Sequence, residues 1–322
     1  MSELSAKKHK ALKLGAAAIG ITGCAGIIMN RLVLTRASKK ISEMGEKHEA
    51  KKNAGAPVPE KDLLRQQSEA WYEAQEKSHV VLSSKSGKHL HGFVLEAPEK
   101  THKWALVVHG YTSNALGMSD YALGYSKMGF NILLPILRGH DISEYRNITM
   151  GWLDRLDMLY WIDYILKLDP DAEIVLHGVS MGAATVMMTT GEALPENVKC
   201  CVADCGYSSV WDEFKNELSA TYKLPAFPVL YAADAATKII GGFGFKEASS
   251  IEQLKKSKTP TLFIHGENDA FVPYRMLDLN YNAAACEKEK LSIPDAEHAE
   301  SCRVHPEIYW PEVERFVSKY IK

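Results

Sequence analysis

Near the middle of the chain, a serine stands between two glycines at a spacing typical of nucleophilic serines. The string Gly178-Val179-Ser180-Met181-Gly182 follows an apolar run at residues 174–177 and precedes small residues at 183–186. A strand, a sharp turn and a helix in this order lift a serine hydroxyl clear of a sheet and place it at a helix N-terminus. The turn needs small neighbours because the strand and the helix meet there. The sequence therefore predicts Ser180 as a nucleophile; the alternative is a glycine-rich turn without reactivity.

A serine hydroxyl needs a general base, and the base needs an acid that orients it. With this kind of turn the partners follow in the order serine, acid, histidine. Three histidines follow Ser180 in the chain: His265, His298 and His305. His298 lies in a loop after the last predicted strand, so we expect it to be the base. We expect His265 to pack or to support the loop of the acid, and His305 to lie at the surface.

The loop at residues 266–273 contains two candidate acids. Asp269 follows the penultimate predicted strand and precedes His298 by 29 residues, which makes it the first choice. Glu267 is the second choice, because one loop could present either carboxylate. The alternative for Asp269 is that it caps a helix that starts near Tyr274.

Acyl transfer also requires hydrogen-bond donors for the developing oxyanion. Residues 109–113 come directly after the predicted strand at 104–108. In this arrangement one backbone N–H comes from that loop and the other from the residue after the nucleophile. We therefore predict the N–H groups of Tyr111 and Met181 as the two donors.

Together these stretches resemble the α/β-hydrolase superfamily. Within it they are similar to the bacterial prolyl-oligopeptidase-like and cinnamoyl-esterase-like branch, often described as membrane-bound or cell-surface hydrolases. The resemblance spans residues 79–322 and includes the string Arg138-Gly139-His140-Asp141, in which Asp141 stands where relatives often have glycine. It implies an acyl-enzyme mechanism with no cofactor and no metal. The aromatic-rich segment at about 207–258 matches no substrate-specific subgroup.

Apolar runs alternate with helical patterns through residues 79–322, which predicts a mostly parallel sheet covered by helices on both faces, the α/β class. A hairpin around the turn at 85–88 opens the sheet. The strand candidates are 80–83, 90–95, 104–108, 130–135, 173–177, 199–203, 261–265 and 290–293; the helix candidates are 115–128, 152–168, 181–192, 275–286 and 311–322.

The interval between the strands at 199–203 and 261–265 is far longer than a usual crossover. It is rich in aromatic residues, which predicts a helical cap at about 207–258 over the C-terminal edge of the sheet. The alternative is an ordinary crossover with a long loop.

The composition is that of a globular protein, with 46% hydrophobic and 24% charged residues, which argues against disorder and against a polytopic membrane protein. The net charge of -2 is, however, the sum of a basic N-terminal segment and an acidic remainder. Residues 1–61 hold 12 basic and 5 acidic residues, whereas the rest hold 26 and 35. An acidic body argues against a nucleic-acid partner, because binding phosphates needs a concentrated positive field.

The basic N-terminal part contains an uncharged stretch of 16 residues at 14–29, preceded by four lysines. A membrane-spanning helix needs roughly 20 apolar residues. We expect residues 1–35 to form a single uncleaved membrane anchor, residues 36–78 a polar linker and a helix, and residues 79–322 the hydrolase domain. A cleaved signal peptide, a lipoprotein signal at Cys24 and a buried helix are the alternatives. A bacterial cell membrane is the expected location, and the side on which the catalytic domain lies stays open.

These observations favour a serine hydrolase that cleaves carboxylic esters or thioesters of small molecules with an apolar or aromatic acyl group. An aminopeptidase or oligopeptidase of the same fold is the first alternative; it would need a site for a charged terminus, such as Glu213 or Glu217. A non-catalytic binding module is the second. Transfer of the acyl group to an acceptor other than water is also open, and the oligomeric state is not predicted.

Overall fold

The computed structural model describes residues 34–35 and 58–322. Within these residues, eight strands form one sheet in the order β1-β2-β4-β3-β5-β6-β7-β8. The strands are β1 (Ser78–Ser83), β2 (His89–Leu95), β3 (Lys103–Val108), β4 (Asn131–Pro135), β5 (Glu173–Val179), β6 (Val198–Asp204), β7 (Thr261–Gly266) and β8 (Lys288–Ile293). Strand β2 pairs antiparallel with β1 and β4, and the strands from β4 to β8 pair in parallel.

Helices cover both faces of this sheet. They are α1 (Glu60–Ala74), α2 (Ser119–Lys127), α3 (Asp154–Leu168), α4 (Met181–Thr189), α5 (Val210–Ala220), α6 (Val229–Gly241), α7 (Ser250–Leu254), α8 (Arg275–Ala283), α9 (Ser301–Val304) and α10 (Pro306–Val317). Helices α3, α4 and α8 pack on one face, and α1, α2 and α10 on the other.

The apolar pattern of the central strands explains this two-sided covering. In β3, Leu106 and Val108 belong to the core on one face of the sheet, whereas Ala105 and Val107 belong to the core on the other. All four are fully buried. A parallel strand with no solvent-facing side needs apolar residues at successive positions, which is why these strands are nearly continuous apolar runs.

All eight predicted strands are present, and the hairpin β1–β2 opens the sheet as expected. The predicted C-terminal helix at 311–322 is wrong in its bounds, because α10 begins at Pro306 and contains Pro311. Pro306 suits the first position of α10, because a backbone N–H at that position would have no partner within the helix. Burial of Tyr309 and Val313 on one face of α10 holds the helix across Pro311.

The interval at 207–258 contains α5, α6 and α7 between β6 and β7. Helix α7 lies against the end of α4, where the Gln253 side chain donates a hydrogen bond to Glu192 at 3.0 Å. It therefore belongs to the helical layer of the sheet. The helix predicted before residue 79 is α1; it packs on α2, and Lys61 pairs with Glu300 at 2.8 Å.

Among the described residues, no helix is both long and apolar enough to cross a membrane. The predicted anchor lies outside the described residues except for Leu34 and Thr35. Leu34 is buried in the core on one face of the sheet, and its carbonyl accepts a hydrogen bond from the Ile148 N–H at 3.0 Å. Thr35 forms an antiparallel bridge with Asn147. The chain is thus fixed to the body of the fold at this point.

The closest backbone approach around Ser180 involves Gly182. A Cβ at this position would lie 2.0 Å from the Val108 carbonyl oxygen. We expect Gly182→Ala to lower the free energy of unfolding by about 3 kcal/mol or more, because β3 and α4 would have to separate. Urea unfolding measures this. The control is Gly87→Ala, where φ is +78° and the space is open, so only the backbone cost of about 1 kcal/mol applies. Equal losses in the two variants would contradict the packing argument.

Candidate active site

Ser180 occupies a sharp turn between β5 and α4. Its φ of +56° and ψ of −117° lie in a region that non-glycine residues rarely adopt, and its N–H donates to the Asp204 carbonyl oxygen at 2.9 Å. The turn is tight enough that a Cβ on Gly178 would lie 2.2 Å from the carbonyl oxygen of Gly182. The sequence predicted this turn from its glycines, and the structure gives their steric reason.

A continuous chain of hydrogen bonds joins Ser180, His298 and Asp269. The His298 Nε2 atom lies 2.8 Å from Ser180 Oγ, and its Nδ1 atom lies 2.7 Å from Asp269 Oδ2. Because a carboxylate can only accept, Nδ1 carries the ring hydrogen and Nε2 is left to accept from the serine hydroxyl. The structure therefore brings together three side chains that are 118 and 29 residues apart in the sequence.

Asp269 is held in its ionised form by its neighbours. Burial alone would raise the pKa of its carboxyl group, but hydrogen bonds from His265 and His298 outweigh burial and lower the pKa. Its second oxygen accepts from the backbone N–H groups of Phe271 and Val272 at 3.0 and 2.9 Å. Asp269 thus stabilises its own loop. It does not cap the following helix, because α8 begins later, at Arg275, and has no side-chain cap.

None of the other candidates from the sequence takes the place of Asp269 or His298. Glu267 is exposed, and Asp269 rather than Glu267 contacts His298. His265 is buried beside the acid, with its Nε2 atom 2.9 Å from the Val272 carbonyl oxygen and 3.2 Å from Asp269. His305 pairs with Glu307 on the surface at 2.9 Å.

The loop after β3 lies directly against Ser180. A Cβ on Gly110 would be 3.3 Å from Ser180 Cβ, so a side chain here would have to displace the loop or the serine by a few tenths of an ångström. Two buried histidines hold the loop to residues 137–140. His109 Nε2 accepts from the Leu137 N–H at 3.1 Å, and His140 Nε2 accepts from the Thr112 N–H at 3.1 Å. The loop that contains Tyr111 is therefore braced from both of its ends.

A cavity of about 220 Å³ opens beside Ser180. Its walls come from the loop after β3, from the turn at Ser180, from α5 and from the loop after β7. The lining residues are Tyr111, Met150, Ser180, Met181, Tyr207, Glu213, Phe214, Glu217, Leu218, Tyr222, Phe271 and Val272. Both predicted oxyanion donors, Tyr111 and Met181, thus border the same space as the serine. The cavity is apolar apart from Ser180, two carboxyl groups and the tyrosine hydroxyls.

Comparison with known proteins agrees with this architecture. Residues 106–223 match the model of a protein family described as alpha/beta hydrolase fold. The Pyrococcus furiosus esterase Pf2001 has a similar structure, with a TM-score of 0.62 and 22% identity over 77% of this chain and 94% of that chain. The chain has the α/β-hydrolase fold.

Two further proteins with similarity to this chain are the uncharacterized protein YqkD of Bacillus subtilis (strain 168) and the acylaminoacyl peptidase of Pyrococcus horikoshii. YqkD is 28% identical over 247 residues, which is 76% of this chain and 81% of YqkD. The peptidase has a TM-score of 0.59 at 17% identity, over 79% of this chain and 43% of that chain. The predicted α/β-hydrolase fold is confirmed, whereas the narrower branch stays a prediction.

One group of possible metal ligands adjoins the serine of this α/β-hydrolase fold. Ligand atoms of Cys205, Asp269 and His298 lie within 4.8 Å of one another. Burial raises the pKa of the Cys205 thiol well above its usual value, and the two other side chains already bond to each other. A thiolate is the form that binds metals, so this group is a poor ligand set.

A buried polar network lies behind the serine turn, and the sequence did not reveal it. The His177 ring bonds to the hydroxyls of Tyr125 and Tyr309 at 3.0 and 3.2 Å, and Tyr309 donates to Asp204 at 3.0 Å. Burial lowers the pKa of His177 to about 3 and raises that of Asp204 to about 6. Because the Asp204 carbonyl also accepts from Ser180, the network supports the turn. A histidine directly before Gly178 was the available signal.

The most unusual group in the cavity wall is Glu213 of α5. It is 3% exposed, and within the described part of the chain neither carboxyl oxygen has a hydrogen-bond partner. Burial raises its pKa to about 9, the Glu217 and Asp269 carboxylates act in the same direction, and Arg275 opposes them. The sequence identified Glu213 only as one of two acidic positions, because an isolated glutamate on a helix gives no indication of its burial.

The raised pKa of Glu213 makes stability depend on pH. Between the ordinary glutamate pKa near 4.5 and about 9, the unfolded chain releases this proton while the folded chain keeps it, so stability falls as pH rises. We expect Glu213→Gln to remove a slope of up to about 1.4 kcal/mol per pH unit in this range. Urea unfolding between pH 5 and 8 measures it.

The control for this measurement is Glu252→Gln, which changes a side chain that is 62% exposed. It should follow the wild-type pH profile. A Glu213→Gln profile parallel to the wild type would show that Glu213 ionises normally in the folded protein.

Proposed function

We propose that this protein is a serine hydrolase that cleaves carboxylic esters or thioesters with an apolar acyl group. The observation that carries the proposal is the hydrogen-bonded chain from Asp269 through His298 to Ser180, which ends at an apolar cavity. A hydroxyl at a strained turn, a neutral imidazole acceptor and a buried carboxylate are the parts that acyl transfer requires. A binding module has no need of the three together.

The chemistry follows from the hydrogen positions. Ser180 Oγ attacks the substrate carbonyl carbon while its proton passes to His298 Nε2. Asp269 stabilises the imidazolium that forms, and the N–H groups of Tyr111 and Met181 are proposed to stabilise the negative oxygen. The tetrahedral intermediate collapses, the leaving alcohol or thiol takes the proton from His298, and the acyl group remains on Ser180. Water then repeats the sequence and releases the carboxylic acid.

The character of the cavity supports an apolar acyl group. Phe214, Leu218 and Phe271 line it beside Ser180, and its volume of about 220 Å³ lies below the range of roughly 300–1,000 Å³ typical of pockets for drug-sized ligands. Acyl groups of short to moderate length therefore fit best. The esterase Pf2001 shares the fold over 94% of its own chain, which is compatible with ester cleavage.

An active-site fluorophosphonate probe tests the proposal. We expect the purified protein to be labelled and Ser180→Ala to abolish labelling, because the probe reacts only with an activated serine. In-gel fluorescence measures labelling, and hydrolysis of p-nitrophenyl butyrate measures activity, which should fall by at least about 10⁴-fold.

Ser318→Ala is the control, because Ser318 is exposed at the end of α10, away from the cavity. It should keep wild-type labelling and activity. Labelling of Ser180→Ala at the wild-type level would show that Ser180 is not the nucleophile.

We also propose that residues 14–29 hold the protein at a membrane. This proposal rests on the uncharged stretch and on its lysine-rich flank. The structure refines the test, because Leu34 packs in the core and should be kept in any truncation. We expect the full chain to need detergent for extraction and a variant without residues 1–33 to be extracted without it, with its esterase activity retained. Release of the intact full-length chain by buffer alone would overturn the proposal.

A further inference from the structure

Two carboxyl groups face the space in front of Ser180. Glu213 and Glu217 are one helical turn apart on α5, and both line the cavity. Residues four apart lie on the same face of a helix, so the two groups point in the same direction. Among the described residues that line this cavity there is neither a lysine nor an arginine. Two carboxyl groups thus border the space where a substrate would bind, and Arg275, which favours the ionised form of Glu213, is not among the lining residues.

Glu213 has no structural partner that would explain its position. Both of its carboxyl oxygens lack a hydrogen bond within the described residues, although the residue is only 3% exposed. Glu217 is partly buried, and burial raises its pKa as well. Leaving a buried polar group without a partner destabilises the fold, so such groups are uncommon unless a ligand satisfies them.

We infer that Glu213 and Glu217 bind an ammonium group of the substrate, close to the carbonyl that Ser180 attacks. The inference rests on the proposed function and narrows its substrate class to amine-bearing acyl compounds, of which α-aminoacyl esters are the simplest. An ammonium group has three N–H donors, enough for both Glu213 oxygens and one from Glu217. The aromatic faces of Phe214, Tyr222 and Phe271 in the same wall suit a cation as well.

A neutral acceptor group on the substrate fits the site less well. It could take a hydrogen bond from a protonated Glu213, but it would leave the second carboxyl group without compensation. A cation interacts favourably with both. Its arrival also favours the ionised form of Glu213, because a nearby positive charge lowers the pKa of a carboxyl group. Binding of an ammonium ligand near pH 7 should therefore release a proton from Glu213.

A matched pair of esters tests the substrate class. Methyl leucinate and methyl 4-methylpentanoate differ only in the amine, and a pH-stat at pH 6.5 follows their hydrolysis. We expect the wild type to favour the amino ester, and Glu213→Gln to lower the ratio of the two kcat/KM values about 10- to 100-fold, since glutamine cannot ionise. The exposed-site variant Glu252→Gln should keep the wild-type ratio.

A binding measurement separates this inference from the proposed function. Calorimetry of isoamylamine with the Ser180→Ala protein, in phosphate and in Tris at pH 7, gives affinity and proton release without any turnover. We expect binding with release of about one proton, and loss of both on adding Glu213→Gln. Isoamyl alcohol, the neutral ligand of similar shape, should bind more weakly.

Two outcomes distinguish the ammonium site from the proposed esterase function. Hydrolysis of the neutral ester by Ser180 with no preference for the amino ester, and no binding of isoamylamine, would overturn the ammonium site and keep the esterase proposal. Binding of isoamylamine that depends on Glu213, together with ester hydrolysis that survives Ser180→Ala, would keep the ammonium site and overturn the role of Ser180.

Discussion

The approach of β3, β5 and α4 at Ser180 is the constraint on which the rest of the structure depends. The serine backbone lies at φ +56°, and a single Cβ on either Gly178 or Gly182 would overlap with backbone atoms. Such a conformation persists only where surrounding contacts outweigh its cost. Here they do so through fully buried parallel strands on both sides and through the hydrogen bond from the Ser180 N–H to Asp204. The serine hydroxyl is exposed to the cavity because the backbone beneath it cannot relax.

The carboxyl ends of the parallel strands then bring together groups that are distant in the chain. The loop after β3 supplies Tyr111, the loop after β7 supplies Asp269 and the loop after β8 supplies His298. Two of these loops have supports of their own, the loop after β3 through buried histidines and the loop after β7 through backbone N–H groups bonded to the acid. Because the supports are separate, side chains at the cavity wall, such as those of α5, can vary without moving the hydrogen-bonded chain. Because the supports are separate from the cavity wall, the fold determines the type of reaction more closely than it determines which substrate binds.

The sequence predicted those parts of the site that depend on order and spacing. Eight apolar runs, the glycines around Ser180, and the positions of Asp269 and His298 after the last two strands were sufficient to place the strands and the three bonded side chains. Burial of single polar residues could not be predicted in this way. Glu213 has no local pattern that indicates its surroundings, and the position of His177 before Gly178 marks the residue without revealing its partners, since burial arises from elements far away in the chain. The helix containing Pro311 was misplaced for a similar reason, because tertiary packing outweighs the local preference of proline.

In the proposed mechanism, Asp269 acts through His298 to make Ser180 reactive. The kcat for p-nitrophenyl butyrate in Asp269→Asn and Glu267→Gln, two conservative changes in the same loop, tests this role. We expect a loss of about 10⁴-fold in the first variant, because an amide no longer holds the imidazole with its acceptor nitrogen toward the serine. We expect a change within about two-fold in the second, since Glu267 is exposed and lies outside the bonded chain. Equal losses in both variants, or full activity in Asp269→Asn, would contradict the role of Asp269.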